Sequence, residues 1–392
     1  MMQYSHDIKQ NRMENPVYLD YNATTPLLPE VTDAMRPFMQ EAFGNPSSSH
    51  LHGVMPRRAV ESAREQVASL LHCHADEIVF TSGGTESNNQ AIIGIARSLR
   101  DKGRHIITSA IEHPAVLSVC AFLETEGVET TYLPVDGNGC LQLSDVEAAI
   151  RPETILITVM HANNETGSIQ PVSGIGELAR RYGIVFHTDA AQSAGKIETN
   201  VNTMATSLVS IAGHKMYAPK GVGALYVRRG ITLPPLMHGA GQECGRRAGT
   251  ENTIHIAGLG KACEIAMDDA GASQRQMQHL RDRLHDGLQN CGTDVRLNGH
   301  PKDRLPNTLN ISFRGLEANR ILEEIGLNVS ASAGAACHSD GVDLSHVLVA
   351  MQVPEEWAKG TVRFSLGRTT TEEEVDRAAA VVSDAVKRLS RI

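Results

Sequence analysis

The 392-residue sequence lacks an excess of positive charge, a long apolar run and a cysteine-rich framework. Its 36 Lys and Arg residues are outnumbered by 45 Asp and Glu residues, and it has no basic tail. The net charge of −9 therefore argues against a protein that binds nucleic acid by neutralising phosphates. No apolar run is long enough to span a bilayer, and the polar first sixteen residues contain no apolar signal core. We therefore expect a cytoplasmic protein without a membrane segment.

The seven cysteines form no C-x-x-C pair, and their number is odd. A disulfide framework is not expected in a large chain from a reducing compartment. One of the thiols is therefore a candidate for reactivity. The His72-Cys73-His74 run is not accompanied by a matching ligand cluster, so we predict no metal site.

Short apolar runs alternate with amphipathic segments between about residues 76 and 230. This alternation predicts a mainly parallel sheet covered by helices on both faces. After about residue 265 the pattern indicates a smaller α+β unit that begins and ends with long helices. We therefore predict an α/β protein with a polar extension (1–16), a large domain (17–265) and a small domain (266–392).

The segment FTSGGTESNN, residues 80–89, predicts a strand that leads through Gly83, Gly84 and Thr85 into a helix. Small residues at a helix start let the backbone N–H groups approach an anion such as a phosphate. Taken alone, the segment favours an ordinary tight turn between a strand and a helix somewhat more than a phosphate site.

Two further strand ends carry ionisable residues. Asp189 ends an apolar strand, where a buried carboxylate needs a partner such as a cationic ring nitrogen, and Gln192 follows close behind. Lys215 follows another strand, where a lysine of lowered pKa can form a Schiff base. Separately, Asp189 is compatible with a helix cap and Lys215 with a surface lysine. Together with the phosphate cradle they are the parts required to hold pyridoxal 5′-phosphate.

Many motifs, in order from about residue 17 to the C-terminus, resemble those of the NifS-type cysteine desulfurases, which belong to the class V aminotransferase superfamily. The resemblance implies a PLP-dependent transferase of fold type I, with a mainly parallel seven-stranded sheet in its large domain. The segments that carry it are YLDYNATTP (18–26), FGNPSSSH (43–50), FTSGGTES (80–87), EHPAV (112–116), HANNETGSIQP (161–171), HTDAAQSAGK (187–196), GHKMYAPKGVGALYVRRG (213–230), RRAGTEN (246–252) and VRFSLGR (362–368).

The resemblance also implies a role for individual residues. Lys215 would form the Schiff base, His113 would stack on the cofactor ring and move protons, and Asp189 would pair with the ring nitrogen. Gln192 would bond the ring hydroxyl, while Gly84, Thr85 and His214 would bind the phosphate. Asn164 and Arg363 would bind the substrate carboxylate. Thr250 would reach the phosphate of a second subunit, which implies a homodimer. A core histidine at 113 and a structural ion pair at 363 are the alternatives.

The distinctive step of this family requires a thiol, and Cys337 lies in a run of Ser, Ala and Gly residues, VSASAGAACHSDG (329–341). Such a run cannot pack a core, so we expect a mobile loop that carries the nucleophile, with His338 favouring the thiolate. The thiol would take sulfur from L-cysteine, release L-alanine and pass the sulfur to an acceptor protein whose identity the sequence does not reveal.

Three positions depart from the desulfurase pattern. The family has a phosphate-binding serine where this chain has Ala212, and Cys337 lies in GAACHSD instead of a serine-rich loop. Both features are similar to selenocysteine lyases, which release selenide from L-selenocysteine, whereas Pro114 matches neither group. We favour a cysteine desulfurase and retain a selenocysteine lyase as the alternative. A catalytically inactive relative that binds partners, or an ordinary aminotransferase, is less favoured.

Overall fold

The computed structural model describes residues 15–269, 271–333, 335–338 and 341–391, with side chains left out between residues 334 and 343. Within these residues no helix is both long and apolar enough to cross a membrane.

The described strands and helices, in chain order, have the following bounds. The strands are β1 Val17–Tyr18, β2 Ile78–Thr81, β3 His105–Ser109, β4 Glu129–Leu133, β5 Thr154–Thr158, β6 Val185–Asp189, β7 Leu208–Ala212, β8 Gly223–Val227, β9 Val295–Asn298, β10 Thr308–Phe313, β11 Val329–Ser330, β12 Ser332–Ala333, β13 Ala335–His338, β14 Gly341–Leu344 and β15 Thr361–Ser365. The helices are α1 Pro29–Gln40, α2 Val54–Leu71, α3 Gly84–Ser98, α4 Pro114–Thr125, α5 Leu143–Ala149, α6 Val172–Tyr182, α7 Thr253–Asp268, α8 Ala272–Leu288, α9 Ala318–Ile325, α10 His346–Ala350, α11 Glu355–Ala358 and α12 Glu372–Leu389.

A seven-stranded sheet in the order β2-β8-β7-β6-β5-β3-β4 forms the larger unit. The pairs from β7 to β4 are parallel, whereas β8 runs antiparallel to both of its neighbours. Strands β2, β3, β5, β6, β7 and β8 are buried along their length apart from the half-buried Val185 in β6. Helices packed on both faces explain why these strands are continuous apolar runs. The predicted mainly parallel seven-stranded sheet is confirmed.

The parallel orientation brings the carboxyl ends of several strands to one edge of the sheet. Strand β6 ends at Asp189, β7 ends at Ala212, and β2 leads into the start of α3 at Gly84. In open α/β sheets this edge is where ligands bind, because the loops after the strands converge there.

The second unit is an antiparallel sheet in the order β12-β15-β10-β9. Its core is packed by α8, α9 and α12, with Leu280, Leu284 and Leu288 of α8 fully or almost fully buried. Val17 and Leu19 also lie in this core, because β1 pairs with β11. The start of the described chain therefore crosses from the second unit to the edge of the large sheet.

Candidate active site

A cavity of about 310 Å³ lies at the carboxyl edge of the large sheet. All of the residues predicted to bind cofactor or substrate, except Thr250, surround it. Its lining comprises Asn22, Ala23, Gly84, Thr85, Asn88, His113, Ala115, Met160, Ala162, Asn164, Asp189, Ala191, Gln192, Ala212, His214, Lys215 and Arg363.

The turn before α3 forms one wall of the cavity. Gly83 has a φ of +148°, which an L side chain rarely adopts, and the helix begins at the next residue. No described side chain caps the helix start, so its first N–H groups are available to an anion. A Cβ on Gly84 would lie 3.3 Å from the Cβ of Ala212, so glycine keeps this wall open. Ala212 therefore lies beside this helix start, at the position where the desulfurase pattern has a serine.

Asp189 is buried at the end of β6 and is held by two hydrogen bonds. Its Oδ2 accepts from Nδ2 of Asn88 at 2.6 Å, and its Oδ1 accepts from the backbone N–H of Ala191 at 2.9 Å. These donors fix the carboxylate in place at the cavity wall. A positively charged ring nitrogen in the cavity would find a negative partner that is already oriented.

Lys215 extends into the cavity from a short 3₁₀ turn after β7. Its Nζ donates to the backbone carbonyl of Ala23 at 2.9 Å and to that of Asn22. Desolvation, followed by the positive charge of Arg363, lowers the pKa of Lys215 from 10.5 to about 8. The amine is therefore neutral, and nucleophilic, far more often near neutral pH than a solvated lysine.

His113 is the N-cap of α4, and Pro114 occupies the first helical position. The Nδ1 atom of His113 accepts the backbone N–H of Ala115 at 3.1 Å, so the neutral ring carries its proton on Nε2. Desolvation lowers the pKa of His113, which favours this neutral form. Pro114 suits the structure because a proline at this position has no N–H to satisfy and a preset φ.

Arg363 projects from β15 of the second unit toward the same cavity. One terminal nitrogen donates to Oδ1 of Asp20 at 2.8 Å, and the other donates to the carbonyl of Asn164 at 3.0 Å. Its buried Nε has no hydrogen-bond partner among the described residues. Ser332 also donates to Oδ1 of Asp20, at 2.9 Å. The guanidinium is thus oriented by its neighbours and keeps donors for a carboxylate ligand.

Thr250, in the loop before α7, is exposed and is not among the described residues around this cavity. The side chain of Cys337, which the sequence places on a mobile loop, lies outside the described residues. The backbone forms an antiparallel pair of β13 and β14, in which Cys337 is opposite Val342. Small side chains cannot build a core, yet a ladder of backbone hydrogen bonds does not require one.

Sequence reasoning missed several buried polar residues near the cavity. Lys196 is buried and donates to both oxygen atoms of Gln192, whose amide nitrogen donates to the carbonyl of Asn22. Glu112 is fully buried beside His113, and its carboxylate accepts from Ser109 and from the N–H of Met160. Burial raises the pKa of Glu112 to about 8. The sequence offered one indication of both residues, because Lys196 and Glu112 each lie within a few positions of a predicted site residue.

Comparison with known proteins identifies the family to which this chain belongs. Residues 17–378 match the model of the family described as aminotransferase class-V. The chain is 49% identical to the cysteine desulfurase IscS of Dictyoglomus turgidum over 381 residues, which is 97% of each chain. It is also 49% identical to the cysteine desulfurase IscS of Methanosarcina thermophila, over 95% of this chain and 92% of the relative.

Solved structures with the same fold agree with these relatives. A NifS-like protein superimposes with a TM-score of 0.89 at 36% identity, over 96% of this chain and 100% of the other. A structure described as SspA in complex with cysteine matches with a TM-score of 0.79 at 39% identity, over 90% and 99% of the two chains. The resemblance predicted from the sequence motifs is confirmed, and the chain belongs to the class-V aminotransferase family.

Proposed function

We propose that this protein is a pyridoxal 5′-phosphate-dependent cysteine desulfurase that converts L-cysteine to L-alanine and retains the sulfur as a persulfide on Cys337. The observation that supports this most strongly is the convergence of an amine of low pKa, an oriented carboxylate, an open helix start and a guanidinium around one cavity. The relatives named cysteine desulfurase, and the neighbour in complex with cysteine, favour this activity.

The residues around the cavity fit the cofactor. Asp189 suits its ring nitrogen, the start of α3 with Thr85 and His214 suits its phosphate, and Lys215 suits its aldehyde. Gln192 and His113, which also line the cavity, would contact the ring. Without a side chain, Gly84 leaves the space in which an anion can approach the backbone. When bound, the cofactor would take up the electron pair released at the Cα atom of the substrate.

The protein would bind the substrate by its carboxylate and remove a proton from Cα. Arg363 offers N–H donors on a guanidinium that Asp20 and Asn164 already orient. Lys215, with a pKa of about 8, would accept the Cα proton in its neutral form. The proton that His113 carries on Nε2 would be available to the reacting groups.

Sulfur transfer would then require the thiolate of Cys337. Its sulfur attacks the sulfur of the substrate, a sulfur–sulfur bond forms, and the bond between the substrate sulfur and Cβ breaks. The electron pair stays with the carbon fragment, which takes up one proton at Cβ, regains one at Cα and leaves as L-alanine. The persulfide would pass its outer sulfur to the thiol of an acceptor protein.

Replacement of Cys337 tests this assignment. Cys337→Ala should leave cofactor binding intact, abolish alanine release from L-cysteine and remove the persulfide detected by mass spectrometry on the wild-type peptide. Cys244→Ala is the matched control because it removes an exposed thiol from the loop before α7. Full desulfuration by the Cys337→Ala protein would refute the covalent role of this residue.

Selenocysteine is the alternative substrate, because Ala212 lies at the phosphate cradle where the desulfurase pattern has a serine. A comparison of kcat/KM for L-cysteine and L-selenocysteine would decide between the two activities. A strong preference for L-selenocysteine, with negligible sulfide release from L-cysteine, would replace our proposal by a selenocysteine lyase.

We further propose that the enzyme is a cytoplasmic homodimer in which Thr250 contributes to the cofactor site of the second subunit. Thr250 is exposed, and its loop borders a groove also lined by Pro46 and Arg57. Phe43 and Leu51, on the same stretch as Pro46, are 77% and 83% exposed, as expected for a surface that a second subunit covers. Sedimentation of the holoprotein should show a dimer. Thr250→Ala should weaken cofactor binding without dissociating the dimer. A monomer with full activity would contradict this proposal.

A further inference from the structure

Lys196 is a buried lysine that the proposed mechanism does not use. It follows β6 in a turn and is only 7% exposed. Its Nζ donates to the backbone carbonyl of Gln192 at 3.0 Å and to the side-chain Oε1 of Gln192 at 3.2 Å. Among the described residues it forms no ion pair, so both of its hydrogen bonds go to one residue of the cavity wall.

An ammonium in this position has a cost. Desolvation, followed by the positive charges of Lys215 and Arg363, lowers the pKa of Lys196 to about 7. A methionine would fill similar space without burying a charge. What the lysine provides, and an apolar side chain does not, is a set of N–H donors that reaches both the backbone carbonyl and Oε1 of Gln192.

This chemistry decides which way the Gln192 amide points. The two ends of an amide have nearly the same shape but opposite hydrogen-bonding character. Lys196 donates to the backbone carbonyl and to Oε1 of Gln192, so it holds Oε1 on its own side and turns Nε2 the other way. There Nε2 donates to the carbonyl of Asn22 at 2.9 Å, and Gln192 also lines the cavity. Its second N–H remains to serve an oxygen atom of a ligand.

We propose that Lys196 is a positioning residue that fixes the Gln192 amide so that the cavity receives an N–H donor instead of a carbonyl oxygen. The inference rests on the proposed function for the identity of the ligand. That ligand is pyridoxal 5′-phosphate, and the atom that would accept the N–H is the hydroxyl oxygen on its ring. The same amide shares the carbonyl of Asn22 with Nζ of Lys215. The orientation of the Gln192 amide therefore also affects the hydrogen bonding of the Lys215 amine.

A double-mutant cycle on the full-length protein tests the inference. Lys196→Met, Gln192→Ala and the double variant are compared with the wild type by titrating the apoprotein with pyridoxal 5′-phosphate and recording the absorbance spectrum of each loaded protein. Lys196→Met should weaken binding about tenfold, the cost of one lost hydrogen bond to a charged oxygen, and shift the absorbance maximum. In the Gln192→Ala background the same substitution should change neither quantity, because the amide through which it acts is gone.

A purely structural role for Lys196 predicts a different result. Loss of Lys196 would then lower the melting temperature of the apoprotein and weaken binding equally in both backgrounds, without a spectral shift. Either equal effects in both backgrounds or unchanged binding by Lys196→Met overturns the inference. If Lys196→Met does not fold, Lys196→Gln, which keeps a neutral donor, carries the same cycle and should weaken binding less than about tenfold in the wild-type background and not at all in the Gln192→Ala background.

Failure of the proposed function would be seen separately. Alanine release from L-cysteine is measured on the wild-type protein alone. Its absence would refute the proposed desulfurase activity, while the binding cycle would still test the role of Lys196. A wild-type protein that does not bind pyridoxal 5′-phosphate would overturn both.

Discussion

Lys215 should behave as an amine that is half neutral at about pH 8. The structure lowers its pKa from 10.5 to about 8, chiefly because the amine is desolvated and secondly because Arg363 is a nearby cation. The difference is worth about 3 kcal/mol and raises the neutral fraction at pH 7 about 300-fold. Without it, almost every molecule would carry an unreactive ammonium at neutral pH.

Competitive acetylation of the apoprotein across neutral to alkaline pH, read by mass spectrometry, measures this property directly. The extent of labelling at Lys215 should reach half of its maximum at about pH 8. Lys102 is exposed and far along the chain from the site, so its peptide normalises the loss of reagent. A midpoint at 10.5 would show that the cavity does not desolvate the amine and would refute the reasoning.

A substitution separates the two causes. Arg363→Gln removes the nearby cation and leaves the negative charge of Asp20, so the midpoint for Lys215 should rise but stay below 10.5, because desolvation remains. Arg368→Gln is the matched control, since Arg368 pairs with Asp269 and does not line the cavity. A midpoint that falls in Arg363→Gln, or one that moves equally in the control, would contradict this assignment.

Three other substitutions have defined outcomes. Glu112 keeps its proton in the folded state up to about pH 8 but loses it near pH 4.5 in the unfolded chain. The free energy of unfolding should therefore fall as the pH rises from 4.5 to about 8. Glu112→Gln should remove up to about 5 kcal/mol of this pH dependence, measured by urea titrations at several pH values. Ala212→Ser should strengthen pyridoxal 5′-phosphate binding about tenfold by adding a donor at the cradle, measured by titration of the apoprotein. Asp20→Asn keeps an acceptor for Arg363 but removes the competing negative charge, so KM for L-cysteine should fall roughly fivefold with a smaller change in kcat in steady-state assays; a raised KM would show that the charge of Asp20 is required for substrate binding.

The sequence predicted those strands whose side chains are buried on both sides. Strands β5 and β7 are continuous apolar or small-residue runs within the alternating region from about residue 76 to 230. Strand β4 has no such signal, because it lies at the edge of the sheet and, apart from Leu133, is exposed or half-buried. Its sequence, ETTYL, therefore has no apolar run. The antiparallel direction of β8 is also a tertiary property, because it depends on the path of the chain between strands.

The candidate site was predictable where a residue type marks its own chemistry, as for Lys215 and Asp189. It was not predictable where burial creates the chemistry. Lys196 and Glu112 look like ordinary charged residues in a turn and before a helix, and only the packed structure shows that both are nearly or fully buried. A pattern of residues contains no signal for desolvation of a single polar side chain. The orientation of the Gln192 amide is even harder to predict from the sequence, because it depends on contacts that form only in the folded chain.

The pKa values of Lys196, His214 and Lys215 are all lowered, and this common direction describes the cavity as a whole. Burial is the largest cause for each of them, and the positive charge of Lys215 also lowers the pKa of the other two. Burial and the mutual repulsion of nearby cations therefore both oppose the charged forms of these groups. A ligand that brings a phosphate and a carboxylate would offset this repulsion by charge neutralisation. The groups that are costly to bury in the apoprotein are thus the ones that would favour an anionic cofactor and an amino acid substrate.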